Sequence, residues 1–128
     1  MNQDIKEKVK TFEDALNIYD KNNGLSDIES LILNYNVDDN IIISIQANFQ
    51  IRIIAAVLNE SWVPDWTNNA QYKWYPYFNM SPFKYEGCRY GYWTKISNSG
   101  SFVCFHSGEL ATYAGMTFTE IYRRANTL

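Results

Sequence analysis

Ile41-Ile42-Ile43-Ser44-Ile45-Gln46-Ala47-Asn48-Phe49-Gln50-Ile51-Arg52-Ile53-Ile54-Ala55-Ala56-Val57-Leu58-Asn59 is the longest apolar stretch of this 128-residue chain, and Trp62-Val63-Pro64-Asp65-Trp66 follows it almost at once. Two periods compete in it. Ser44, Gln46, Asn48, Gln50 and Arg52 alternate with apolar residues as in a strand, whereas Ser44, Asn48, Arg52 and Asn59 also share one helical stripe. Length decides for the helix, because a strand rarely exceeds ~10 residues. Asp38, Asp39 and Asn40 supply N-cap residues, and Pro64 closes the segment. The isoleucines cover more than half of the helix surface, so the expectation is a central helix nearly surrounded by its neighbours. A membrane span is not expected. The longest uninterrupted apolar run, Ile53 to Leu58, is short, and Arg52 sits mid-segment.

Outward from this helix, Thr11-Phe12-Glu13-Asp14 reads as a capping box, with Asp in the place of Glu. Phe12, Ala15, Leu16 and Tyr19 then follow at helical spacing up to Asn22-Asn23-Gly24. Met1 to Lys10 is a frayed start or an extra helical turn. Leu25 to Asn36 is either a short helix capped by Ser26 or Asp27, or a loop with one turn. As the second half of a helix-turn-helix it would carry Asp27 and Glu29 but neither Lys nor Arg, which phosphate contacts require.

Residues 60–87 read as a long irregular segment, because Pro76 and Pro82 argue against a central strand; a third strand from this region is the other option. Tyr90–Ile96 and Ser101–His106 form a hairpin around Ser97-Asn98-Ser99-Gly100. Ser107 caps a final helix from Gly108 to about Ala125, whose apolar stripe of Leu110, Ala114, Phe118, Ile121, Tyr122 and Ala125 keeps phase across Gly115. A break at Gly115 is the alternative.

Composition narrows function by exclusion. A net charge of −3 argues against nucleic acid as the partner, and the N-terminus has no secretory h-region. Two cysteines make no disulfide scaffold. Cys104-x-His106 places two ligand types on one strand face, but the spacing matches no zinc finger or ribbon, and a core cysteine beside a hydrogen-bonded histidine explains both. Ser107 and His106 point to opposite faces of a strand, which argues against a nucleophile–base pair. Glu60, Asp65 and Glu86 lie beside tryptophans, yet nothing sets their separation, and Asp65 fits a turn. No glycine-rich phosphate cradle occurs. The expectation is a protein without enzymatic activity, cofactor or metal.

The strongest functional feature is aromatic: the chain has ten Tyr, seven Phe and four Trp. Trp62, Trp66, Tyr72, Lys73, Trp74, Tyr75, Tyr77 and Trp93 make a candidate binding surface. The competing reading is that these rings fill a second core.

Ser61-Trp62-Val63-Pro64-Asp65-Trp66, Tyr72-Lys73-Trp74-Tyr75-Pro76-Tyr77-Phe78 and the terminal Ser107-Gly108-Glu109-Leu110-Ala111-Thr112-Tyr113-Ala114-Gly115 resemble a family of small proteins encoded by phages, prophages and mobile elements of Bacteroides-type bacteria. Thr11-Phe12-Glu13-Asp14-Ala15 extends the likeness to the start, while residues 20–40 depart from it. The resemblance implies a phage or mobile-element origin and transfers no activity and no site residue.

Together these readings give an α+β fold over residues 1–128 as a single domain. It has N-terminal helices including a long central buried helix, an aromatic loop, a small antiparallel sheet or hairpin, and a C-terminal helix packed beside Ile41–Asn59. Function is expected to be binding of a phage or host protein through the aromatic-rich surface, with a homo-oligomer as a further option. The alternative is a small-ligand binder, of a nucleotide or sugar, for example one that counters host defence. The expected location is the bacterial cytoplasm or the virion, with no membrane contact.

Overall fold

Local capping signals set most helix starts. The computed structural model of the protein describes residues 4–68, 70–91 and 103–128. Asp4 caps a single turn, α1 (Ile5–Lys8). Thr11 and Asp14 exchange both bonds of a capping box to start α2 (Phe12–Asn23), which Gly24 ends at φ +75°. Ser26 and Glu29 do the same for α3 (Asp27–Asn34), resolving the 25–36 stretch as a helix. Asp39 accepts from the Ile41 and Ile42 amides and starts α4 (Asn40–Leu58).

The fold is α+β, as expected: six helices and a two-stranded antiparallel sheet among the described residues. α4 is the central rod. Ala47, Ile51, Ile54 and Leu58 recur at spacings of four and three, and all are buried. They meet Ala15 of α2 and a row from the two C-terminal helices, α5 (Gly108–Thr117) and α6 (Thr119–Thr127): Leu110, Ala111, Ala114, Phe118, Ile121 and Tyr122. α6 lies along α4, where the Ala125 carbonyl accepts from the Ser44 hydroxyl at 3.0 Å. Asn59, buried just past the end of α4, clamps the 103–107 segment. Its Nδ2 donates to the Cys104 carbonyl at 2.9 Å, and its Oδ1 accepts from the His106 amide at 3.1 Å.

Three expectations need correction. The enclosure of α4 holds only for its C-terminal half; Ile41, Ile42 and Ile45 are exposed. A 19-residue helix is ~28 Å long, while its neighbour α2 has 12 residues and α6 nine, so part of the rod outruns its cover. By length and composition α4 also meets the requirement for a membrane span, which a core helix can do as well.

The sheet lies earlier than expected. β1 (Lys73–Met80) pairs with β2 (Phe83–Gly91), from Lys73↔Gly91 to Met80↔Phe83, with a register shift between Tyr77 and Phe78. Prolines are tolerated because a two-stranded sheet has only edge strands. Pro76 sits opposite Cys88, and Pro82 occupies the two-residue turn after a cis Ser81–Pro82 bond. Tyr90 and Gly91 therefore pair backward with Trp74 and Lys73, and Phe105 forms an isolated bridge to Trp74. The rest of the expected 90–106 hairpin falls on 92–102, outside the described residues.

The single C-terminal helix is interrupted at Phe118 (φ −112°, ψ 31°), one turn after Gly115. Gly115 instead allows α5 to approach the hairpin. A Cβ there would lie 2.6 Å from Tyr85 Cδ1 and 2.8 Å from Pro76 Cβ.

Candidate functional site

The aromatic residues singled out in the sequence separate into three groups. Tyr72, Trp74 and Tyr90 form the first. β1 and its lead-in residue Tyr72 bring Tyr72 face to face with Tyr90 of β2, with centroids 4.7 Å apart and planes 2° from parallel. Trp74 tilts against Tyr90 at 4.8 Å. Tyr72 and Tyr90 are about half exposed, while Trp74 is partly buried under the start of α5, where Gly108 leaves room for the indole.

The second group is internal to the 62–73 loop. Lys73, expected as part of the binding surface, is fully buried. Its Nζ donates to the Asn68 carbonyl at 3.2 Å and the Gln71 carbonyl at 3.4 Å, and it lies 5.3 Å from the centre of the Trp66 ring. Lys73 thus fastens the loop and is closed to any ligand. Asp65 closes the same loop by accepting from the Thr67 hydroxyl at 2.6 Å and from the Thr67 amide, which holds its carboxyl below the usual range. Trp62 is half-buried and tilts against the exposed His106 at 5.8 Å.

The third group lies on the hairpin. Tyr75 and Tyr77 are half-buried, and the Arg89 guanidinium sits 4.3 Å over the Tyr77 ring. Trp93 lies outside the described residues. Of the seven described members of the expected surface, only Tyr72 is exposed, at 45%, with Tyr90 at 46% beside it.

Cys104 and His106 do not share a face. The 103–107 segment makes one bridge at Phe105 and turns directly into the Ser107 cap of α5, so Cys104 points inward and His106 outward. Burial pushes the Cys104 thiol up to about 11, only partly opposed by the Lys73 charge. Among the described residues, no group of three or more His, Cys, Asp or Glu side chains is placed to hold a metal ion.

The described residues enclose hollows as well as these ring groups. One, of about 410 Å³, opens between the hairpin, α4 and α6 and is walled by Ile51, Phe78, Met80, Phe83 and Tyr122, with Asn48 and Asn126 as its amides and no Lys or Arg in its lining. Another, of about 700 Å³, lies between the ends of α2 and α4 and is lined by Lys8, Lys21, Asn22, Asn23 and Glu60 among others. Glu60 holds a left-handed φ of +56°.

A further displayed apolar surface lies elsewhere, and the aromatic reading missed it. Ile28, Leu31 and Tyr35 form one face of α3 at spacings of three and four, with exposures of 70, 64 and 56%. Ile41, Ile42 and Ile45 at the start of α4 are exposed by 71, 36 and 54%. The two rows adjoin: Gln46, one turn beyond Ile42, donates from Nε2 to the carbonyls of Ile32 and Tyr35 at 2.8 and 2.7 Å. One sequence signal marked this face. Four of the chain's fourteen carboxylates and none of its eleven Lys and Arg fall in residues 22–51, so that segment carries −4 and the remainder +1.

Comparison with protein-family models, with curated proteins and with solved structures finds no match to this chain.

Proposed function

We propose that this protein acts by binding another protein, and that the α3–α4 face is its principal docking surface. The observation that carries the reading is the run of six large apolar side chains left in water there. They amount to roughly 500 Å² of apolar surface, as large as the patches that mark interaction sites on soluble proteins. The stacked Tyr72–Tyr90 pair is a second, smaller contact of the same kind. The resemblance of the Trp62–Trp66 and Tyr72–Phe78 segments to phage and mobile-element proteins supports a phage or host protein as the partner.

The test is affinity purification of the intact protein from phage-infected or lysogenic cells, run in parallel with two doubly substituted variants. Loss of a co-purifying protein with Ile41→Ser/Ile45→Ser, and its retention with Tyr72→Ala/Tyr90→Ala, is the expected result. The opposite pattern would move the site to the aromatic hairpin. Retention in both variants would defeat the reading.

A second reading, small-ligand binding, rests on the hollow beside Lys8 and Lys21, whose two cations outnumber the Glu60 carboxylate in the lining and suit an anionic molecule. Thermal-shift screening of nucleotides and sugar phosphates, with Lys21→Ala as control, tests it.

A further inference from the structure

The charge around the α3–α4 face specifies what kind of partner fits it. Asp27 and Glu29 stand in the first turn of α3, Asp38 and Asp39 directly precede α4, and the sequence has no Lys or Arg between Lys21 and Arg52. Glu29 stays ionised, held down by the Ser26 amide and hydroxyl and by the Tyr19 phenol. A second copy of this chain docked face to face would bring like-charged carboxylates toward one another as it buried identical apolar rows, at an electrostatic cost. An anionic lipid surface is repelled by the same carboxylates.

We infer that the α3–α4 face binds a cationic amphipathic helix, its apolar stripe laid along Ile28, Leu31, Ile41 and Ile45 and its Lys or Arg residues facing Asp27, Glu29, Asp38 and Asp39. This rests on the docking reading above and adds the chemistry of the occupant. The geometry is that of a helix set against two neighbouring helical rows, with apolar anchors supplying affinity and rim charge supplying selectivity and association rate.

The experiment uses the full chain and two fluorescent model peptides of identical Leu pattern, one with Lys and one with Glu on the polar face. Anisotropy is read at about 50 mM and about 500 mM salt, since screening separates rim charge from apolar contact. The expected result is at least tenfold tighter binding of the Lys peptide at low salt, a smaller preference at high salt, and loss of at least tenfold on Ile41→Ser/Ile45→Ser. Asp27→Asn/Asp38→Asn should reduce the preference several-fold; neither residue supplies the Ser26 or Asp39 cap bonds, and circular dichroism verifies that the variants fold.

Equal binding of the two peptides, or preference for the Glu peptide, would overturn the inferred chemistry while leaving an apolar docking face. Ile41- and Ile45-dependent dimerisation in sedimentation, or binding to phosphatidylcholine vesicles in place of the peptide, would overturn it in favour of a second copy or a membrane. Absence of any binding that depends on Ile41 and Ile45 would overturn both the inference and the docking reading.

Discussion

The two halves of α4 are both rich in isoleucine and have opposite surroundings. Ile41, Ile42 and Ile45 face water, whereas Ile51, Ile53 and Ile54 are within 5% of complete burial. The isoleucines in both halves are in the same helix, with the same propensity, yet only the second set belongs to the core cluster formed with α2, α5 and α6. Side-chain type sets how much free energy burial would yield, about 25 cal/mol per Å². Topology sets whether that free energy is realised within the chain or left for another molecule.

The sharpest way to break this comparison is truncation on each side of it. Ile54→Ala removes buried methyl groups from a site with no access to solvent and should cost ~2–5 kcal/mol in urea unfolding. A cost under ~1 kcal/mol would mean that the enclosed half is not the core described here. Next in size is Asn59→Ala at the enclosed end. It leaves the Cys104 carbonyl and the His106 amide without their partner, and should cost ~2 kcal/mol. Asn59→Asp separates the two bonds, because a carboxylate still accepts from the His106 amide and cannot donate to the Cys104 carbonyl.

The helices were legible because their signals are local. The Thr11–Asp14 box, the Asp39 cap and the Ser107 cap each act within three residues of their own position. The hairpin was not, because the meaning of Pro76 depends on whether a further strand lies beyond it, and that is a property of the whole sheet. The break at Phe118 escaped for a similar reason. The apolar stripe continues through it, and Thr119 caps no amide; its hydroxyl donates back to the Gly115 and Met116 carbonyls. Of the aromatic surface, the packing of rings on one another was open in the sequence as the second-core reading, but the burial of Lys73 was not. A lysine seven residues after Trp66 reads as a rim cation until the loop is seen to fold its carbonyls over the amine. The α3–α4 face was hidden by the assumption that an isoleucine-rich helix must be covered on all sides.

A smaller effect tests how dry the enclosed end is. Burial raises the Cys104 thiol from 9.0 to about 11, so between those values the folded chain keeps a proton that the unfolded chain releases. Stability from this group is therefore full below pH 9 and is lost as pH rises toward 11, by up to ~1.4 kcal/mol per pH unit. The difference in unfolding free energy between the native protein and Cys104→Ala, followed through that window, isolates the thiol from the tyrosines and lysines that titrate with it. A difference that does not shrink with rising pH would show that water reaches the sulfur.

The smallest expected effect bears most directly on function. Ile41→Ala and Ile45→Ala remove side chains that are mostly in water, so little burial is lost. Alanine is the better helix former by a few tenths of a kcal/mol, and the Asp39 cap is untouched. Each change should therefore leave stability within ~0.5 kcal/mol of the native value or raise it slightly. The contrast with Ile54→Ala is what identifies the exposed half as a surface kept apolar for something other than folding. If Ile45→Ala instead costs as much as Ile54→Ala, the two halves are equally covered in solution. A midpoint that rises with protein concentration would then identify the cover as a second copy of the chain.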